Sequence, residues 1–506
     1  PNRTASFFGQ INYNYDHKYL IAATMRADGS TKFAPGNQWG YFPSVSGAWV
    51  LSREGFLENN ALISNLKLRA AIGLAGNNRI DDDQWRFLYS VNATGGPGFG
   101  EATQYGEQWF SVSDGKKFPN TKIKWETTLT RNVALDISLF GDRLTITPEF
   151  YWNTTKDLLY ESVIPSTMGF TKQMQNIGQV TNKGIELSIN GDILRGKDYV
   201  LSANFTFGMN KMKIDKLNDT DDILWILDDR WKPDYDNYCL RVGDQVGLIY
   251  GFVYDGFYFD PTQNFLAVPN EGTVINTIYQ DSNSGAATLP GKIKFKDLDG
   301  DGQITENDRT VIGNTTPKFQ GGFGLSGQWK NFDFTANFNY MVDFDVYNAT
   351  NYMLSSSISN TNNFYNVLAD FTQKNRWTYV RADGECLYKN TNIDGSVNEY
   401  ITMNAGKSLW NPADVEDKVT HSYFVEDGSF LRLQDVTIGY TLPSNLTKKW
   451  GMSKVRFYAS ASNLFILTGY SGYDPEVDVQ SGLTPSMDYN RYPRSRSFVF
   501  GTNITF

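Results

Sequence analysis

The sequence holds very few cysteines and histidines. Its 506 residues include two cysteines and two histidines, which are Cys239, Cys386, His17 and His421. Two cysteines cannot form a disulfide framework or a zinc ligand set. So few histidines also argue against a histidine-based catalytic triad or metal centre. We therefore interpret the cysteines as small apolar residues or as one loop disulfide.

Long apolar runs and an excess of positive charge are also missing. No stretch reaches the roughly 18 apolar residues of a transmembrane helix. The net charge of -9 argues against nucleic-acid binding, which uses a basic surface. If this protein spans a membrane, it must do so as a closed β-barrel, because open sheet edges leave backbone groups unpaired in hydrocarbon. The mean hydropathy of -0.42 fits a barrel, in which apolar and polar positions alternate.

Strict alternation of apolar and polar residues is the strongest pattern that is present. In 143–152 one face is Leu144, Ile146, Pro148, Phe150 and Trp152, and the other is Arg143, Thr145, Thr147, Glu149 and Tyr151. The segment 332–340 alternates in the same way. These segments match the 9–11 residues that a tilted strand needs to cross a bilayer, whereas ordinary strands average five or six. The charges lie on one face only, as expected for a lumen-facing side.

The pattern predicts thirteen spanning strands joined by alternating short and long connections. Short turns with long extracellular loops are typical of outer-membrane barrels. The predicted strands are 5–15, 18–28, 43–52, 65–75, 131–140, 143–152, 183–190, 198–208, 319–329, 332–342, 429–441, 454–464 and 496–506. The predicted short turns include Asn190–Gly191, and the two longest loops are 209–318 and 343–428. The strand-like segment 248–258 is assigned to a hairpin within the first of these loops.

The odd number of predicted strands indicates on which side of the membrane the chain begins. If the last strand ends at Phe506 in the periplasm, the first strand also runs towards the periplasm and Pro1 lies outside the cell. An odd number of strands that starts outside cannot close a bacterial barrel, which normally has an even number. We therefore expect 1–506 to be a partial barrel, with further strands upstream. A miscount by one strand is the alternative.

Seven blocks of the sequence resemble the SusC-like branch of the TonB-dependent transporters, in family order. They include the Arg-x-Asp-Gly-Ser and Trp-Gly-x-Phe-Pro-Ser elements of the first block. The blocks are 26–57, 65–78, 132–159, 176–190, 300–324, 426–443 and 457–476. The resemblance implies a 22-stranded barrel of the Bacteroidetes type in the bacterial outer membrane, of which thirteen strands are present here, with a plug inserted from the N-terminal side.

The resemblance also implies function and partners. A SusC-like barrel imports oligosaccharides, or oligopeptides, with energy from TonB and with a SusD-like surface lipoprotein as a lid. Outer-membrane lipid would surround it. The plug and the TonB box are not among the seven blocks, so we expect them upstream. Two alternatives are a passive porin or surface adhesin built on a barrel, and a secreted all-β enzyme acting on glycans. No acid–base pair in a recognised catalytic motif favours the enzyme.

The segment 297–308 predicts a calcium loop. Asp297, Asp299 and Asp301 occupy positions 1, 3 and 5, Gln303 would offer its carbonyl at position 7, and Asp308 stands at position 12. Calcium prefers six to eight oxygen ligands, and alternate carboxylates around one turn supply them. An EF-hand has Glu at position 12, so we expect the shorter carboxylate of Asp308 to bind through one oxygen and to weaken the site. The alternative is a solvated turn of Asp and Gly residues.

Tryptophans in the two longest loops are candidates for contacts with a ligand or with the lid protein. Aromatic rings stack on sugar rings and pack against peptides. These residues are Trp225, Trp231, Trp377 and Trp410. The alternative is that they pack the loops internally. Five others near strand ends are predicted to form interfacial belts. They are Trp49, Trp125, Trp152, Trp329 and Trp450.

Overall fold

Thirteen long strands form one antiparallel sheet in the computed structural model, and each pairs with its neighbours in chain order. The strands are β1 (Thr4–Tyr15), β2 (Tyr19–Ser30), β3 (Trp39–Val50), β4 (Ile63–Asn77), β5 (Glu126–Leu139), β6 (Leu144–Lys156), β7 (Gln179–Arg195), β8 (Tyr199–Lys216), β9 (Phe319–Trp329), β10 (Phe332–Val342), β11 (Phe430–Thr441), β12 (Lys454–Thr468) and β13 (Ser497–Thr505). The number of strands and the all-β class predicted from the alternation are confirmed.

The structure describes most of the chain. The described residues are 2–58, 60–86, 89–92, 102–105, 108–112, 117–165, 167, 170, 172–217, 223–227, 230–231, 233, 235–257, 291–301, 304–356, 358–359, 363–364, 366–378, 402–412, 419–477 and 482–506. Cys386 and Gln303 lie outside them. None of the helices within these residues is long and apolar enough to span a membrane.

Several strands extend beyond their predicted ends. The turn predicted at Asn190–Gly191 is wrong, because both residues pair within the ladder and β7 continues to Arg195. A Cβ at Gly191 would lie 3.1 Å from the Leu144 side chain of the neighbouring strand, so glycine avoids a tight contact at this position. The chain turns instead between Arg195 and Tyr199, where the Gly196 N–H donates to the Tyr199 carbonyl. Because β8 continues to Lys216, the loop predicted to begin at residue 209 begins at residue 217.

The long connections carry short strands and helices of their own. The segment 248–258 is not a hairpin, because its two strands belong to different sheets. The loop strands are Tyr89–Asn92, Ala102–Tyr105, Gln108–Val112, Lys117–Phe118, Leu159–Val163, Lys172–Asn176, Ile223–Ile226, Tyr238–Arg241, Leu248–Phe252, Tyr254–Phe257, Ile293–Phe295, Arg309–Asn314, Asp345–Asn348, Ile358–Ser359, Asn363–Phe364, Val425–Asp427 and Met487–Asp488. Within the described residues the α-helices include Ala349–Leu354 and Ser444–Thr447, and the 3-10 helices include Leu51–Arg53, Glu306–Asp308, Ser422–Phe424 and Lys448–Trp450.

Buried apolar residues concentrate in the loops rather than between sheets. We define the loop core as one cluster contributed by the β8–β9, β10–β11 and β12–β13 connections. Its members include Trp231, Tyr238, Phe252, Phe295, Tyr347, Tyr352, Phe371, Trp410, Phe424 and Met487. The outward face of the sheet, by contrast, leaves large apolar side chains exposed, as the lipid-facing side of a membrane barrel does. The three connections thus fold together as one layer at one end of the strands.

Candidate functional site

Charged side chains on the polar face of the sheet form ion pairs with one another. Arg69 of β4 donates to both carboxylate oxygens of Asp136 on β5, with Nε–Oδ2 at 2.9 Å and Nη2–Oδ1 at 3.1 Å. A second carboxylate, Glu149 of β6, lies 3.6 Å from Arg69 and accepts a hydrogen bond from Asn132. A bidentate arginine–carboxylate pair fixes the geometry of both groups. This part of the wall therefore presents charged groups in fixed positions.

A similar arrangement recurs at the other end of the sheet. Arg456 of β12 donates to Asp333 of β10, with Nε–Oδ1 at 2.9 Å. Asn337, four residues along β10, donates to both oxygens of Asp435 on β11. The polar face thus carries ordered hydrogen-bonding groups from β4 to β12. Such a surface suits a water-filled lumen through which polar solutes move.

Three of the four candidate loop tryptophans are not on a surface. Trp231 and Trp377 are each 1% exposed and Trp410 is fully buried, and Trp231 and Trp410 belong to the loop core. Trp410 meets Tyr423 edge to face at 4.8 Å. The burial of these three side chains favours the alternative to a ligand or lid contact, because an indole buried among the loops removes more apolar surface from water than a rim position would. They pack the loops internally.

Trp225 is the candidate tryptophan that remains accessible. It is 45% exposed, and its ring lies 4.8 Å from that of Tyr250. The buried guanidinium of Arg309 lies 5.7 Å from the Trp225 ring and 5.2 Å from the Tyr250 ring. Burial lowers the pKa of Arg309, and the neighbouring Glu306 opposes this effect. Tyr250 and Arg309 therefore hold the Trp225 ring in place, and part of that ring stays exposed to solvent.

The five tryptophans predicted to form interfacial belts occupy two kinds of environment, one exposed and one packed inside the protein. Trp49, Trp152, Trp329 and Trp450 are between 37% and 61% exposed, as an interfacial position requires. Trp125 instead packs against Phe33 and Phe42 and donates to the Gln38 carbonyl. The prediction for Trp125 is therefore wrong, because its indole N–H is satisfied inside the protein.

The predicted calcium loop brings three carboxylates together. One oxygen from each of Asp297, Asp299 and Asp308 lies within 4.8 Å of the others, so these residues fit a shared cation. Asp301 stands beside them, and its N–H donates to Asp299 at 3.1 Å. That hydrogen bond lowers the pKa of Asp299, but desolvation and the charges of Asp301, Asp308 and Asp297 outweigh it. The net result is a pKa of Asp299 above its usual value, as expected where carboxylates lie close together.

Asp308 also has a structural role that the sequence pattern does not indicate. Its side chain is fully buried and accepts hydrogen bonds from the backbone N–H groups of Leu298 and Thr305, both at 2.7 Å. The second bond closes a capping box around the short helix Glu306–Asp308. Through these hydrogen bonds Asp308 holds both ends of the loop together.

His421 is a notable buried residue that no sequence motif identified. It is fully buried in the loop region, with Phe424, Phe295 and Tyr352 rings 5.1–5.7 Å from its own. Neither ring nitrogen has a hydrogen-bond partner among the described residues. Desolvation lowers the pKa of His421 to about 3. Only the long-range packing of the loops reveals this environment.

Known proteins match the chain along its whole length. Residues 1–274 match the family described as "TonB dependent receptor-like, beta-barrel". TonB-dependent receptor P3 of Formosa agariphila is 34% identical over 508 residues, which cover 99% of this chain and 45% of the relative. TonB-dependent receptor SusC of Bacteroides thetaiotaomicron is 30% identical over 520 residues, which cover 100% of this chain and 44% of the relative. The chain thus spans about half the length of the curated relatives it matches.

A solved structure shares the fold. The structure described as the RagAB peptide transporter superposes with a TM-score of 0.74 at 24% sequence identity. The superposition covers 100% of this chain and 48% of that chain. The fold of this chain therefore corresponds to about half of that larger chain.

Proposed function

Because the chain belongs to the TonB-dependent receptor-like β-barrel family, we propose that the protein containing it actively imports an oligomeric nutrient across the bacterial outer membrane. The chain forms part of an outer-membrane β-barrel. In this proposal the whole protein has 22 strands, and the remainder supplies a plug and the segment that contacts TonB. Because the family consists of receptors and transporters, the secreted-enzyme alternative is set aside.

The observation that most supports this proposal is that the long loops pack together at one end of the strands. The β8–β9, β10–β11 and β12–β13 connections share one core, whereas the connections at the opposite end of β8, β9 and β10 are short turns. Short turns face the periplasm and long loops face the outside in barrels of this type. The described parts of the loops 217–318 and 343–429, which share the loop core, would then form a rim at the cell surface. A SusD-like lipoprotein would close over that rim as a lid.

The polar face supplies the path that such an importer needs. Hydroxyl, amide and peptide groups of a polar oligomer can exchange water for the fixed donors and acceptors along β4 to β12, including Arg69, Glu149 and Asn337. The lid and rim would capture the solute, and TonB would then pull on the plug to open the lumen. This chain would form more than half of the barrel wall and much of the loop rim.

We favour an oligosaccharide as the cargo, with an oligopeptide as the alternative. The seven blocks that resemble SusC-like transporters favour an oligosaccharide, and a structural neighbour described as a peptide transporter keeps the oligopeptide as the alternative. The exposed ring of Trp225 supports the first class, because a flat indole face stacks on the apolar face of a sugar ring.

Uptake by whole cells tests the import proposal. Cells expressing the full-length transporter with its neighbouring lipoprotein would receive fluorescent oligosaccharides or oligopeptides too large for porins. We expect uptake that stops when TonB is deleted or the proton gradient is collapsed. Uptake that persists without TonB would instead establish a passive porin. Binding of cells or matrix without any uptake would establish an adhesin.

For the loop 297–308, the proposed role is to hold a structural calcium ion. Three carboxylates within reach of one cation support the proposal, and calcium would rigidify the loop without taking part in transport. Affinity would be low, about 10⁻⁴–10⁻³ M, as in extracellular modules. The buried carboxylate of Asp308 would contribute one oxygen while keeping its backbone hydrogen bonds.

Two variants separate the calcium role from the capping role. Calcium should protect loop 217–318 of the full-length protein from protease, and Asp299→Asn should abolish this protection without altering cleavage in chelator. Asp308→Asn should increase cleavage under both conditions, because the buried side chain would present an amide N–H₂ to backbone N–H donors. Equal protease resistance of the wild-type loop with and without calcium would contradict the calcium proposal.

A further inference from the structure

A continuous apolar row crosses the outward face of five neighbouring strands. Pairing in register aligns Ala70, Val133, Phe150, Ile185 and Met209 across β4 to β8. The last four of these side chains are between 39% and 49% exposed. Such a row faces lipid acyl chains in a membrane barrel.

The next outward row towards the loops is basic. It contains Arg131 on β5, Trp152 on β6, Lys183 on β7 and Lys211 on β8, and register pairs Trp152 with Lys183 and Lys183 with Lys211. The guanidinium carbon of Arg131 lies 4.2 Å from the centre of the Trp152 ring, and Lys183 Nζ lies 4.6 Å from it. We call these four residues the cation row.

The cation row has too little negative charge around it. Lys183 and Lys211 stand directly opposite each other, an arrangement that is destabilising for like charges. Both are exposed, and neither forms an ion pair within the described part of the chain. Arg131 is held by the Trp152 carbonyl at 3.0 Å and the Thr154 hydroxyl at 2.6 Å. A nearby carboxylate, Asp215, accepts hydrogen bonds from Gln179 and Thr181. An external anion would relieve the repulsion.

The height of the cation row on the barrel identifies where that anion comes from. Trp152 is the fifth outward residue of β6, after Leu144, Ile146, Pro148 and Phe150. With about 3.3 Å per residue and a tilt of about 40°, it lies roughly 20 Å above the turn end, close to the top of the apolar band. Tryptophan occupies this interfacial level. The cations therefore lie at the height of lipid headgroups, directly above a row that contacts acyl chains.

We propose that the cation row binds the phosphate group of an outer-leaflet lipid. Lys183 and Lys211 would bind the phosphate between them, and Arg131 would add donors from the far side of Trp152. The lipid's acyl chains would cover Val133, Phe150 and Ile185 in the row below. A free phosphate ion would leave the apolar row unused, and a second copy of the chain would bring the same lysines into contact with like charges. The outer-leaflet location rests on the proposed function, which places the loops outside the cell.

Lipid binding to the full-length purified transporter tests this inference. Phosphorylated lipid A and enzymatically dephosphorylated lipid A would be titrated in mixed micelles and counted by native mass spectrometry. Wild-type protein should prefer the phosphorylated lipid by roughly tenfold or more, as expected for two or more cations near a headgroup. Lys183→Gln/Lys211→Gln should lose this preference. The matched control, Lys197→Gln/Lys330→Gln, makes the same charge change at the turn end and should retain it.

Three kinds of outcome overturn the inference. An unchanged preference in the Lys183/Lys211 variant, or equal binding of both lipids by wild type, removes the site. Displacement of the lipid by millimolar inorganic phosphate identifies a free-anion site. Dissociation of an oligomer by the variant, measured by light scattering, identifies an interface between copies. Heat-modifiable migration confirms that the variant barrel is folded. If TonB-dependent uptake fails while the lipid preference persists, the proposed function alone is overturned.

Discussion

At the residue scale, His421 shows how burial sets the chemistry of a side chain. Among the described residues its imidazole is packed against aromatic rings, and burial favours its neutral form. The other histidine, His17, lies exposed in the β1–β2 turn. The two histidines of the chain therefore occupy opposite environments, although the sequence alone treats them alike.

The stability of the loop core should depend on pH through His421. Its folded-state pKa is about 3, below the unfolded value of about 6.5, so the unfolded segment takes up a proton first as pH falls. Stability should be complete above about pH 6.5 and decrease towards pH 3, by about 2 kcal/mol at pH 5. Hydrogen exchange of residues 419–424, corrected for intrinsic rates, measures this loss. His421→Phe should remove most of the dependence, and an unchanged pH profile in that variant would rule out His421 as the cause.

At the element scale, glycines allow close contact between particular strands. Gly321 on β9 pairs with Phe207 of β8 and Tyr340 of β10. A Cβ at Gly321 would overlap the carbonyl oxygen of Thr206, a backbone atom that cannot rotate away. The Tyr340 hydroxyl donates to that same carbonyl at 3.0 Å. This contact fixes β8, β9 and β10 against one another.

Gly321→Ala should therefore impair barrel assembly. The added methyl group must displace backbone, which typically costs about 1–3 kcal/mol. The folded fraction in the outer membrane, measured by heat-modifiable gel migration, should decrease. Gly208→Ala on the adjacent strand is the control, because a Cβ there would lie 3.6 Å from its nearest neighbour, an ordinary contact. Equal folding of the two variants would show that the sheet adjusts at Gly321.

At the scale of the whole molecule, the loops and the wall are stabilised by different forces. The wall depends on continuous strand pairing from β1 to β13, whereas the loops depend on a shared apolar core. Trp410, contributed by the β10–β11 connection, lies in that core. A defect in this core should therefore disturb several connections without disturbing the sheet.

Trp410→Ala tests this separation. Removing a buried indole should destabilise the loop layer by roughly 3–5 kcal/mol. Limited proteolysis should then cut in both loops 217–318 and 343–429, while heat-modifiable migration of the barrel stays unchanged. Trp329→Ala, at a position 61% exposed near a short turn, is the control and should alter neither measurement. Cleavage confined to loop 343–429 would mean that the connections fold independently.

The sequence by itself determined the strands, their number and their lipid-facing side. The side chains of a strand alternate between its two faces, with a period of two residues. This pattern can be read from the sequence of β6 or β10 without knowing which strands lie beside them. The acidic loop at 297–308 was equally visible, because its spacing is local. Strand ends were not, since Asn190 and Gly191 look like a turn and yet lie within a ladder. The pattern within one strand does not show whether a neighbouring strand pairs with these two residues.

Only the tertiary structure decided what the loops and the charges do. The Tyr238 hydroxyl donates to the Pro485 carbonyl across 247 positions, and Arg230 donates to Thr484 across 254. Contacts this distant in sequence leave no periodic pattern, so the sequence could not decide between a surface position and a core position for Trp231 and Trp410. The cation row arises likewise from register, which aligns Arg131, Lys183 and Lys211 from three separate strands. Pairing between strands, rather than the pattern within one, places these charges together.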